Sequence, residues 1–141
     1  MPDTVRKVDY FSIQVSHRPG AAFEVLSTLV SGGINLLACT GSLHGRRAQI
    51  DVVPEDSRRF NAVVKRAGLA FNPKKSGFLI QGEDRPGALA ENLGKLAEAG
   101  VNVTGIDAVT AGEGRWGAIV WVKPEDVRKT ARLLGTKAKS S

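Results

Sequence analysis

Cysteine is nearly missing from this chain, and long apolar runs are missing altogether. Among its 141 residues there is one cysteine, Cys39, which excludes an internal disulfide and a cysteine-based zinc site. No apolar stretch comes near the ~18 residues that a membrane span needs. The opening Met-Pro-Asp-Thr-Val-Arg-Lys holds no apolar segment of the signal-peptide kind and leads straight into a strand-like pattern. A reducing cytoplasm is the expected compartment. The basic balance is diluted too. Net charge is +6, but the excess sits in Arg46-Arg47, Arg58-Arg59, Lys65-Arg66 and Lys74-Lys75, spaced along the chain and not gathered in a tract. That spacing reads as a solvated basic face, and a nucleic-acid partner is not expected.

What the chain does have is a repeat. His17-Arg18-Pro19-Gly20 precedes an apolar helical pattern and then Gly33-Ile34-Asn35-Leu36. Asp84-Arg85-Pro86-Gly87 precedes another and then Gly100-Val101-Asn102-Val103. Both pairs keep one offset (84 − 17 = 67 and 100 − 33 = 67), so two copies of one supersecondary unit are expected. A half of about 70 residues buries only about 60% of its unfolded surface and is marginal alone. The halves are therefore expected to pack on each other or on a second chain.

The periodicities predict the element order. Phe11, Ile13 and Val15 alternate with polar residues as in a half-buried strand. Pro19 is expected to open a helix lined by Phe23, Leu26 and Leu29-Val30 and stopped by Gly32-Gly33. Strands are predicted at 34–40 and 48–53, joined by a hairpin loop at 41–47. A second helix starts at Pro54-Glu55-Asp56, with acid in its first turn where the helix dipole favours it. Phe60, Val63-Val64 and Ala67 line it, and Leu69 to Phe71 begins a fourth strand. The second copy repeats the order with a strand at 78–81, a helix opened by Pro86, strands at 101–110 and 116–122, and a last helix from Pro124-Glu125-Asp126. Its hairpin loop holds three extra residues (124 − 54 = 70, against 67). After Leu134 the chain is too polar for a core strand, and the N-terminal segment with Val5 and Val8 is the candidate to replace it.

The expected fold is α+β. Two tandem ferredoxin-like βαββαβ units, at 8–73 and 77–135, each place helices on one face of an antiparallel sheet. The second unit lacks an obvious C-terminal strand, and 136–141 forms a polar tail.

The repeated letters lie where sites are built. In each copy the glycine of Arg-Pro-Gly removes a Cβ and lets backbone approach a ligand. The following residues, Ala21-Ala22 and Ala88-Leu89, are expected to present unpaired N–H groups at the positive end of a helix. Asn35 and Asn102 open the second strand of each copy, and an amide offers both donor and acceptor to a zwitterionic head group. The structural alternative is that Pro-Gly merely starts a helix and Asn merely caps a turn.

These stretches resemble the signature of ACT domains: Asp84-Arg85-Pro86-Gly87-Ala88-Leu89, a long amphipathic helix, then Gly100-Val101-Asn102-Val103. The first copy, His17-Arg18-Pro19-Gly20-Ala21-Ala22-Phe23 with Gly33-Ile34-Asn35-Leu36, resembles it as well. The resemblance covers nearly the whole chain and implies a stand-alone pair of ACT domains without an attached enzyme. It implies a regulatory role without catalysis, metal or cofactor. It further implies a free amino acid held between units and a homodimer formed through sheet edges or helices, with a metabolic enzyme as a further partner. The site residues carried over are His17, Arg18, Pro19, Gly20, Ala21 and Asn35, and Asp84, Arg85, Pro86, Gly87, Ala88, Leu89 and Asn102. In the serine-responsive ACT domain of a biosynthetic dehydrogenase, a histidine and an asparagine precede Arg-Pro-Gly. The histidine's position here is Val15 or Gly82, and the residue just before Arg is His17 or Asp84. The two copies are thus expected to be non-equivalent, and the identity of the ligand does not transfer.

Two other readings share this topology. Acylphosphatases use an arginine in the first-strand loop with a nearby asparagine, which brings in Arg18 or Arg85 with Asn35 or Asn102, but their Gly-x-Val-Phe-Arg-like loop is absent. A Cys39/His17 or Cys39/His44 nucleophile pair is the other catalytic option, although a lone Cys on a buried strand reads as a small core residue. An RNA recognition motif needs an aromatic third strand. Trp116 and Trp121 lie an odd number of residues apart and point to opposite faces, with Trp121 expected in the core and Trp116 at a partner interface.

Overall fold

The computed structural model describes residues 3–136. Strand β1 (Thr4–Ser16) is followed by α1 (Ala21–Ser31), β2 (Leu36–His44), β3 (Arg47–Pro54) and α2 (Ser57–Ala67). Then come β4 (Lys75–Glu83), α3 (Ala88–Glu98), β5 (Val103–Gly112), β6 (Arg115–Val122) and α4 (Val127–Leu134), the last preceded by a 3-10 turn at Pro124–Asp126. Residues 9–75 form one compact unit, and residues 76–136 form another together with the start of β1 up to Val8.

In the 9–75 unit the strand order is β2-β3-β1, antiparallel throughout. Phe11 faces Val52 and Ile13 faces Ile50 across the ladder, so one face of the sheet is apolar. Val25 and Leu29 of α1 and Phe60 of α2 close that face into a core. Phe60 is its centre, with ring centroids 4.5 Å from Phe11 and 5.1 Å from Phe71. Helix α2 begins on Asp56, whose carboxylate accepts from the N–H groups of Arg58 and Arg59 at 3.1 Å. The acid foreseen for the first turn therefore acts as the N-cap.

In the other unit β5 and β4 flank β6 in antiparallel pairs, and β1 lies beyond β4. Val5 packs into its core with Phe78, Ile80, Leu96, Val120 and Leu134. The start of β1 thus supplies apolar cover that the polar sequence after Leu134 does not. Trp116 belongs to this core, not to a surface. Trp121 is also buried, and its indole lies against two glycine notches. A Cβ on Gly77 would stand 3.4 Å from it, and one on Gly105 3.0 Å.

Several boundaries differ from the sequence expectation. Pro19 and Pro86 sit in the turn before the helix and not in its first turn. The N-caps are Gly20 and Gly87 with φ of 85° and 82°, a left-handed conformation that favours glycine. Residues 69–74 form no strand, because Pro73 has no N–H to give a ladder. Phe71 still packs on the core, and the Asn72 N–H donates to Ser12 O at 2.8 Å. The 41–47 loop shrinks to a Gly45-Arg46 turn, since His44 and Arg47 still pair. In the second hairpin β5 is one residue longer than β2, with an irregularity between Thr110 and Gly112 and a Glu113-Gly114 turn of positive φ. Of the expected tail at 136–141, all but Thr136 lies outside the described residues.

Candidate functional site

Both Arg-Pro-Gly loops fold alike. The Ala21 N–H donates to Arg18 O and the Ala88 N–H to Arg85 O, each at 3.3 Å, so these amides close the turn and are not free for a ligand. The next amides, those of Ala22 and Phe23 or Leu89 and Ala90, are the first-turn groups without an intrahelical acceptor. At the far end of each helix, Gly33 and Gly100 adopt φ of 77° and 74°, while Ile34 N–H donates to Leu29 O and Val101 N–H to Leu96 O. This is a Schellman stop sealed by an apolar residue. The glycine of each Gly-x-Asn is therefore explained by helix termination alone.

The asparagines do not meet the loops. Asn35 precedes β2 and donates to Glu55 Oε2 at 2.9 Å. Asn102 is exposed just before β5 and is not among the residues that line the cleft described next. That cleft, of ≈ 570 Å³, opens beside the second loop. Its loop side is Asp84, Arg85 and Gly87, followed by Ala88, Leu89, Ala90 and Leu93 of α3. Its strand side is Ala108, Val109 and Thr110 of β5 with Trp116 of β6. The Asp84 N–H is tied to Gly114 O at 2.7 Å, which fixes the loop against the hairpin tip and keeps Asp84 at the cleft. The walls are largely apolar, and Val109 is 70% exposed.

Beneath the rim lies a part-buried ionic network that sequence reasoning missed, with the Arg85 and Glu91 side chains 34% and 61% exposed. The Asp3 side chain is 7% exposed. Its carboxylate accepts from Arg85 Nη1 and Nη2, both at 3.2 Å, from Asn92 Nδ2 at 2.9 Å and from Trp116 Nε1 at 3.2 Å. Arg85 also donates to Glu91 Oε2 at 2.7 Å and to Glu83 O at 3.1 Å. Gly82 makes room for this arrangement, since a Cβ there would lie 1.9 Å from Asp3 Oδ1. Two signals pointed to the network. Arginine and glutamate recur six apart in both copies, and Asn92 is a polar residue where the first copy has Val25 (92 − 67 = 25). Arg18 has only the exposed half of the pattern, an ion pair with Glu24 at 2.8 Å, which is worth little at a surface. The non-equivalence of the copies thus reaches deeper than His17 against Asp84.

Electrostatics follow the geometry. Burial alone would raise the Asp3 carboxyl, but the hydrogen bonds from Arg85, Asn92 and Trp116 and the charge of Arg85 outweigh it and hold it below the ordinary 3.8. The hydrogen bond to Asp3, then that to Glu91, pushes Arg85 up. A carboxyl lowered on folding stabilises the native state above its unfolded value and loses that contribution as pH falls through its folded value. Urea midpoints of the wild type should therefore drop between roughly pH 5 and pH 2, and Asp3→Asn should show a shallower drop. Equal slopes would contradict the assignment.

The cysteine-based catalytic alternative loses ground. Cys39 is exposed on the edge strand β2, not a core residue. Partial burial of its thiol, then the charge of Asp51, pushes it up and away from thiolate. Among the described residues no group of His, Cys, Asp and Glu could hold a metal ion, and no helix is long and apolar enough to cross a membrane.

The layering and strand order define an α+β fold of the ferredoxin type with a ligand-sized cleft at a loop–helix junction. Residues 78–137 match the family model of the ACT domain. No curated protein matches the sequence. Among solved structures, the chain is similar to protein BT0572 from Bacteroides thetaiotaomicron, with 22% identity, a TM-score of 0.79, and coverage of 93% of this chain and 88% of that one. It is also similar to the regulatory subunit of aspartate kinase from Thermus thermophilus in its ligand-free form, at 17% identity and a TM-score of 0.64, covering 96% and 95%. The corresponding subunit from Thermus flavus gives 18%, 0.57, 96% and 95%. At these identities the likeness is one of fold.

Proposed function

We propose that this chain is a non-catalytic regulatory protein built from two ACT-type units, and that it binds a free amino acid at the second Arg-Pro-Gly loop. The observation that carries this reading is the cleft between that loop, the first turn of α3 and β5. Asp84 offers a carboxylate to an ammonium group, the first-turn amides offer donors to the head group, and Leu89, Leu93 and Val109 suit an apolar side chain. The ACT match over 78–137 and the fold shared with aspartate kinase regulatory subunits support the regulatory part of the reading. The first copy, with His17-Arg18-Pro19-Gly20 and Asn35, is a second and different site in this scheme. A homodimer would place further residues at either loop.

Thermal melting against a panel of free amino acids is the direct test. A ligand at ~100 times its Kd should stabilise the protein by about 2.7 kcal/mol. Asp84→Ala should abolish the shift while leaving the unliganded melting point nearly in place. A panel without any shift would sink the proposal, and turnover of an acyl phosphate would replace it with the hydrolase reading.

A further inference from the structure

The carboxylate of Asp3 sits in a recess built to receive a carboxylate. Two guanidinium N–H groups of Arg85 meet its two oxygens, the geometry in which arginine recognises that group best. Asn92 and Trp116, which are 4% and 5% exposed, aim one N–H each at the same group. The recess is not sealed from the proposed ligand site, because Arg85 and Trp116 also line the cleft. Asp3 itself lies just before the first residue of β1, Thr4, so its side chain can leave without removing a residue from the strand. In the first copy the matching positions are Val25 for Asn92 and Ala48 for Trp116 (Val15 pairs with Ala48 as Gly82 pairs with Trp116), so the fold does not require the recess.

We infer that Arg85, Asn92 and Trp116 form a carboxylate-binding site that Asp3 occupies as a tethered competitor, and that the ligand's own carboxylate enters it when Asp3 withdraws. The inference rests on the reading of the cleft as an amino-acid site and names the side chains that take the ligand's acid group. Exchange of one carboxylate for another keeps every buried donor satisfied, which is why the swap is feasible where simple loss of Asp3 is costly. The chain's own acid then sets a threshold, since a ligand must outcompete a group held at high effective concentration.

Chemical rescue tests this with acetate as the probe. Asp3→Ala should melt below the wild type, and sodium acetate should raise its melting point by several degrees more than sodium chloride at equal ionic strength. The wild type should show no such difference, and Arg85→Gln in the Asp3→Ala background should abolish it. If Asp3→Ala does not fold alone, recovery of folded protein in acetate but not in chloride is the same expected result. Failure of acetate in both formats overturns the inference, as does an equal response of wild type and variant. For any amino acid that the panel identifies, Asp3→Ala should bind about tenfold more tightly or better, and weaker binding would count against the competitor role. The acetate arm needs no amino acid, so an empty panel rejects the ligand reading without touching the recess, and a failed rescue beside a positive panel rejects the recess alone.

Discussion

Phe60→Ala is expected to destabilise the 9–75 unit by about 3–5 kcal/mol. Phe60 is fully buried and makes two ring contacts, stacking at a tilt on Phe11 and edge-on to Phe71. Truncation removes a large apolar surface from the point where α2 meets the sheet, and the neighbours are themselves tied down. Phe11 is held in register opposite Val52, and the segment carrying Phe71 is anchored by the bond from Asn72 to Ser12. Collapse around the missing ring is therefore limited, which places the cost in the upper part of the range for such substitutions. Urea unfolding followed by far-ultraviolet circular dichroism gives the value. A loss below about 1 kcal/mol would mean that the aromatic cluster is not the centre of this core.

The second large effect is expected at Gly82. A methyl group there would stand 1.9 Å from Asp3 Oδ1 and 3.2 Å from Trp116 Nε1, so Gly82→Ala must expel the Asp3 carboxylate. Expulsion leaves the indole N–H of Trp116 and one N–H of Asn92 without an acceptor, while Asn92 Nδ2 keeps its bond to Ala88 O at 2.9 Å. Each unsatisfied group costs about 1–3 kcal/mol. A total loss of about 2–6 kcal/mol follows. In an Asp3→Gly background most of the cost has already been incurred, and Gly82→Ala should then cost about 1 kcal/mol or less. Additive losses in that double-mutant cycle would show that Gly82 is needed for some reason other than Asp3.

The same pair explains how this chain departs from the serine-responsive pattern. Gly82 stands at the position where that pattern carries a histidine. In this structure the space beside it holds Asp3, a residue 79 positions away in sequence (82 − 3 = 79).

The sequence was most informative where the physics is local. Alternation in Phe11, Ile13 and Val15 gives a strand whatever surrounds it, and a stripe at helical spacing gives α1 and α3. Glycine before a buried Ile34 or Val101 marks a helix end because the left-handed conformation belongs to that residue type. The repeat offset also located the loop of the cleft, and Asp84, Arg85, Gly87, Ala88 and Leu89 all line it. Local reasoning was less reliable on the state of each group. Whether the Ala88 amide is free depends on how tightly Arg85 O turns back over it. Whether Asn102 reaches the cleft depends on the path of β5, which brings Thr110 and Val109 there in its place.

By itself, then, the sequence determined the doubled loop–helix unit and its helix stops, since those depend on residues within a turn or two of each other. The buried face of α1 is instead Ala21, Val25 and Leu29, and Phe23 and Val30, expected to line it, are 73% and 71% exposed. Tertiary structure alone decided that Arg85 is committed to Asp3 and that Asn92 and Trp116 complete the cradle. Those contacts join residues 82, 89 and 113 apart. No periodicity or local propensity spans such distances; only the packed chain brings the partners together.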